Sequence, residues 1–60
     1  MKRKYVSQSW YIVFDGTSYY GVYGMDIYTL EEDSDIEIEV VSGPYKEYPE
    51  YDIELLNEEL

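Results

Sequence analysis

The sequence predicts a small, mainly β domain: a twisted antiparallel sheet or barrel of about four to five short strands. Three observations predict it. Residues 10–14 and 35–41 are rich in β-branched and aromatic types and alternate with a period of two. Asp15-Gly16 follows the first run, and this pair is a strong turn signal because glycine takes positive φ at no steric cost. Gly21 and Gly24 bracket Val22 and Tyr23, and glycine inside a strand marks a bulge or bend of the kind that curls a small sheet.

In chain order, residues 5–14 form the first predicted strand, with Trp10, Ile12 and Phe14 on one face and Tyr11 and Val13 on the other. Residues 18–23 return. A connecting loop of two, three or four residues satisfies the turn; a three-residue loop is preferred and puts Val22, Tyr20 and Ser18 beside Trp10, Ile12 and Phe14. Residues 25–30 are a third short strand, and Glu31-Glu32-Asp33-Ser34 is a polar turn. Residues 35–41 give the clearest strand: Ile36, Ile38 and Val40 point one way, Asp35, Glu37 and Glu39 the other. Ser42-Gly43-Pro44 ends it, and residues 43–50 form a loop with two prolines.

The final segment reads two ways. As a strand, Tyr51, Ile53 and Leu55 alternate with Asp52 and Glu54. As a helix, Pro49 sits near the first turn, Glu50 and Asp52 meet the positive end of the dipole, and Ile53, Leu56 and Leu60 form a stripe. The helical reading gives the alternative class, α+β with a C-terminal helix at residues 50–60. The predicted core is Trp10, Ile12, Phe14, Val22, Ile36, Ile38 and Val40.

Residues 1–60 are expected to form one domain. A chain this short buries little surface and commonly needs a staple or a partner. It has neither cysteine nor histidine, which excludes disulfides and Cys/His zinc sites. Aromatic packing or a homodimer is the expected substitute. Cysteine-free composition fits a reducing cytoplasm. The basic start, Met-Lys-Arg-Lys, is not followed by an apolar run of signal-peptide type, and no stretch approaches the roughly 20 apolar residues that span a bilayer. The expected location is cytoplasmic, with no membrane partner.

Charge is divided unevenly. Residues 26–60 hold thirteen acids against Lys46, a net of −12, whereas residues 1–25 hold Lys2, Arg3 and Lys4 against Asp15. Such a field governs which partners approach. It disfavours direct nucleic-acid binding, and although nine tyrosines suggest base stacking, stacking platforms need a basic groove. It favours a protein with a basic surface, above all a nucleic-acid-binding one. Asp35, Glu37 and Glu39 lie on one strand face at a repeat of roughly 6.6 Å, similar to the spacing of backbone phosphates. A solvated face is the simpler reading of this strand alone. The additional acids Asp26, Glu31, Glu32, Asp33, Glu47, Glu50, Asp52 and Glu54 shift the balance, because self-repulsion on that scale destabilises a short domain.

Tyrosine combines a rigid apolar body with a polar end and suits interfaces as well as cores. Tyr45, Tyr48 and Tyr51 fall in and after the proline-bearing loop, where they read equally as an aromatic contact surface or as half-buried sheet aromatics. The candidate partner-binding residues are therefore Asp35, Glu37, Glu39, Tyr45, Glu47, Tyr48, Glu50 and Asp52. Residues 31–35 lack the glycine of an EF-hand loop, so no metal or other cofactor is expected. A nucleophilic triad needs a base such as histidine, and no catalytic residue is assigned.

In charge, size and aromatic content the chain resembles, in a general way, the small acidic nucleic-acid-mimicking inhibitors that bacteriophages make against host enzymes. The likeness is an analogy of composition rather than of motif. It implies a non-enzymatic inhibitor or modulator acting in the host cytoplasm. The competing class is a structural accessory subunit of a larger complex whose acids face solvent.

Overall fold

A computed structural model describes residues 5–32 and 37–60. The elements run β1 (Trp10–Phe14), β2 (Tyr19–Tyr23), α1 (Gly24–Glu32), β3 (Glu39–Tyr45) and α2 (Glu50–Glu58). The sheet has the order β2-β1-β3, antiparallel throughout. Among the described residues the class is α+β, with a three-stranded open sheet and two helices. The expected barrel of four to five strands is corrected on two counts: residues 25–30 and 50–58 are helical. The C-terminal helix is the one anticipated as the alternative.

The β1–β2 turn shows why the preferred register fails. Gly16 takes φ 97°, as the Asp-Gly signal requires. The Asp15 carboxylate accepts the N–H groups of Thr17 (2.8 Å) and Ser18 (2.9 Å), and the Asp15 N–H donates to the Ser18 carbonyl at 3.2 Å. This Asx-type turn keeps Ser18 in the loop, so four residues separate the strands. Phe14 then faces Tyr19, Ile12 faces Gly21 and Trp10 faces Tyr23. Tyr20 and Val22 share the face of Tyr11 and Val13 instead.

Residues 5–9 do not extend β1. They turn, with the Ser9 N–H donating to Val6, and cross the start of α1, where Gly24 and Met25 donate to the carbonyls of Ser9 and Ser7. The misread strand at 25–30 is helical because Gly24, Ile27, Tyr28 and Glu31 fall at i, i+3, i+4 and i+7. Ile27 is fully buried. The Tyr28 hydroxyl accepts the Tyr5 N–H at 2.8 Å, and the Tyr5 hydroxyl reaches Glu31 at 3.4 Å. Tyr5 also packs edge-on against Tyr11, centroids 5.3 Å apart.

Gly21 of β2 and Gly24, which opens α1, mark close approaches rather than bulges. A side chain at Gly24 would collide with the Val6 carbonyl, and one at Gly21 would sit 2.7 Å from the Tyr48 ring and 3.2 Å from Ile53 Cδ1. The irregularities lie in β3, between the partners of Trp10, Ile12 and Val13. Ser42-Gly43-Pro44 does not end that strand. Gly43 takes φ 133° and the Gly43–Pro44 bond is cis, and pairing resumes at Tyr45 opposite Trp10.

Among the described residues the buried hydrophobic side chains are Tyr11, Ile12, Val13, Ile27 and Ile53. Of the predicted core, Ile12 is buried; Trp10, Phe14, Val22, Ile38 and Val40 are half-buried, and Ile36 lies outside the described residues. The reason is the position of β1. It is the centre strand, and three consecutive buried residues mean that both of its faces are covered, so alternation along it does not separate inside from outside. Ile53 of α2 lies over the Ile12–Gly21 face. Tyr20 and Val22, on the opposite face, share a hollow of about 320 Å³ with Asp26, Thr29 and Leu30 of α1.

Candidate functional site

α2 has two unlike sides. Its inner side carries Ile53, buried, with Leu56 and Asn57 half-buried. The outer side carries Glu50, Glu54 and Glu58, all exposed. Their four-residue spacing repeats every 6 Å or so along a helix. Beside them stand Tyr51, 72% exposed, and Leu55, 42% exposed. The dipole favours Glu50 and Asp52 in the first turn, but Glu58 and Glu59 lie at its negative end. No basic residue follows Lys46 to offset them.

Asn57 fixes the inner side. Its Oδ1 accepts the Tyr19 N–H at 2.8 Å and its Nδ2 donates to the Tyr19 carbonyl at 3.0 Å. The side-chain amide thus occupies both outward backbone groups of one residue at the β2 edge. On the other flank, α2 and β3 enclose an open hollow of about 350 Å³ lined by Ile12, Val41, Ser42, Tyr45, Asp52, Leu55 and Leu56. Asp52 is the one charged residue in that lining.

The predicted site residues are partly brought together. Tyr45 and Asp52 share the hollow, and the Tyr45 hydroxyl lies 2.9 Å from Ser42 Oγ. Tyr48 is exposed but packs edge-on against Trp10 at 4.9 Å, with Tyr23 stacked on Trp10 at 4.3 Å. Glu47 is exposed in the loop before α2, and Glu50 opens the helix. Of the expected strand row of carboxylates, two members fall among the described residues. Asp35 lies outside the described residues, Glu37 precedes β3, and Glu39 is its first residue, opposite Phe14. Glu39 therefore occupies the end of β3 remote from Tyr45.

Leu55 and Glu58 were not among the expected residues, and Tyr51 and Glu54 were expected in the aromatic surface and the acidic field but not in the candidate set. Their signal was available in the i, i+4 repeats Glu50-Glu54-Glu58 and Tyr51-Leu55, which are informative only once the segment is helical. The Asp15 carboxyl is held below the ordinary carboxylate range, chiefly by the Ser18 N–H and then by that of Thr17; its part is to fix the turn. Among the described residues, no three His, Cys, Asp or Glu side chains converge as a metal site, and no helix is long and apolar enough to cross a membrane. Comparison with protein-family models, curated proteins and solved structures finds no match to this chain.

Proposed function

We propose that this protein is a non-enzymatic inhibitor or modulator that occupies a basic, nucleic-acid-binding surface of another protein with an acidic, tyrosine-bearing face. The observation that carries the reading is the outer side of α2. Glu50, Glu54 and Glu58 form an exposed row beside Tyr51, with no basic residue anywhere on the helix. A row of charges at that repeat suits Lys and Arg that otherwise hold phosphates, and the tyrosine adds rigid contact area at low entropic cost. Glu47, Asp52 and Glu59 extend the field, which steers encounter with a cationic surface.

The test is competition against nucleic acid for a basic nucleic-acid-binding protein. Glu50→Gln, Glu54→Gln and Glu58→Gln together keep shape and remove three charges. Competition should weaken at least about tenfold, mostly through a slower on-rate, and the wild-type effect should fade as salt rises. Undiminished competition by the folded triple variant would remove α2 from the contact.

A second reading, the structural accessory subunit, is favoured by the exposed apolar side chains Val41, Leu55 and Tyr51. A contact made chiefly through these would be nearly indifferent to salt, which separates the two readings.

A further inference from the structure

We infer that the hollow between α2 and β3, with the outer edge of β3, takes an extended segment of the protein partner carrying an apolar residue and, two positions away, a lysine or arginine. This rests on the proposed acidic-face reading and narrows it to one site and one chemistry.

The first observation is backbone direction. Ser9 and Asp15 bond across to Gly24 and Ser18, so alternation turns the backbone groups of Tyr11 and Val13 towards β2 and those of Trp10, Ile12 and Phe14 towards β3. Val40, opposite Val13, therefore turns its N–H and C=O away from the sheet. The corresponding outward groups of Tyr19 on the β2 edge are taken by Asn57. By the same alternation Gly21 and Tyr23 also face outward on the β2 edge, but the β3 edge is the one that borders the hollow, through Val41 and Ser42.

The second observation is what stands beside that edge. Val41 and Leu55 remain 43% and 42% exposed on the rim of the hollow, over Ile12 and Leu56. A strand added to β3 gains main-chain hydrogen bonds, while alternate side chains supply specificity. One of its side chains enters the hollow past Val41 and Leu55. Side chains two apart share a face, so the neighbour on that face reaches the flank of Glu39, the paired residue next to Val40.

The third observation is charge. Asp52 stands at the hollow and Glu39 at the start of the strand, both exposed. The net charge of −10 opposes the approach of a second copy of this chain. A cationic segment complements them. Pro44 lacks an N–H and the irregular pairing around Gly43 bends the strand, which confines pairing to the first residues of β3.

The probe is the acetylated heptapeptide Thr-Lys-Thr-Leu-Thr-Lys-Thr, compared with the same peptide carrying serine for leucine. Both have the same charge. The leucine peptide should bind about tenfold more tightly, with amide shifts centred on Val40 and Val41. That preference should vanish in Leu55→Ser, whereas Glu39→Gln should weaken both peptides. Equal binding, or shifts confined to Glu50, Glu54 and Glu58, would overturn the site and leave the acidic-face reading intact. No binding of either peptide, with wild-type competition against nucleic acid preserved, would overturn the site alone; loss of both would overturn the two together. A wild-type dimer in sedimentation that Leu55→Ser dissociates would make the hollow a self-interface and also overturn the inference.

Discussion

The two edges of the sheet are finished by different means. At β2, one side chain from the last helix does the work: Asn57 bonds both outward groups of Tyr19, Tyr48 and Ile53 crowd Gly21, and the strand passes directly into α1. At β3 the chain relies on its own backbone, with irregular pairing, a left-handed Gly43 and Pro44. Both devices restrain edge-to-edge pairing. They differ in reach, because a side-chain seal closes a chosen residue while bulges and proline spare the part of the strand before them. The exposed backbone around Val40 is therefore local and bounded.

The largest expected effect comes from breaking the β3 device. In Gly43→Ala the new methyl would lie 2.6 Å from the Tyr11 ring and 3.0 Å from the Trp10 carbonyl. The positive φ adds about 1–2 kcal/mol to an overpacking cost of about 1–3 kcal/mol. Chemical denaturation should show a loss of roughly 3 kcal/mol, enough to unfold much of a marginal domain. A loss under about 1 kcal/mol, with cross-peaks between β1 and β3 retained, would show that Gly43 is dispensable.

Unsealing β2 should cost less. Asn57→Ala leaves the Tyr19 backbone groups without their partner, a penalty of about 1–3 kcal/mol, and exposes an edge. Lower stability and concentration-dependent association are expected together in light scattering and melting. If Asn57→Ala associates no more than wild type, the seal contributes stability without guarding the edge, and the contrast between the edges weakens.

These edges also show how much was legible in the sequence. The β1–β2 hairpin was, because Asp15-Gly16 is a local signal with a local cause. The acidic character of the C-terminal half was legible too, as was a helix at residues 50–60 as one of two readings. The extent of β3 was not: Gly43 and Pro44 are ordinary stop signals, and nothing local to them shows that pairing resumes at Tyr45 opposite Trp10. α1 was hidden by its β-prone Ile27, Tyr28 and Thr29, and its helical state depends on residues 5–9 crossing its first turn. Of the candidate site, Tyr45, Tyr48, Glu50 and Asp52 fall on or near α2. Of the strand carboxylates, Glu39 lies in the paired strand and Glu37 precedes it, while Asp35 lies outside the described residues. Asn57 could not be foreseen, since its partner is Tyr19, far away in sequence.

A smaller change is expected at the turn that sets the β2 register. The Asp15 carboxyl is lowered in the folded state, first by the Ser18 N–H and then by the Thr17 N–H. A lowered folded pKa means that its contribution is fully present above the unfolded value, at neutral pH, and is lost as pH falls below 3.8 towards the folded value. In Asp15→Ala the acid limb of the stability curve should be slightly shallower than in wild type. Superimposable limbs would show that the turn holds without its carboxylate.

The Asn57–Tyr19 pair has a consequence in hydrogen exchange. The Tyr19 amide proton lies on an edge strand, where exchange is ordinarily fast, yet its acceptor belongs to a helix 38 residues away. It can exchange only when α2 leaves the sheet. Its protection therefore measures the opening free energy of the C-terminal helix rather than that of the hairpin, and it should match the protection of the Ile53 amide instead of that of its neighbours in β2. A single amide signal in the first half of the chain thus reports whether the second half is docked.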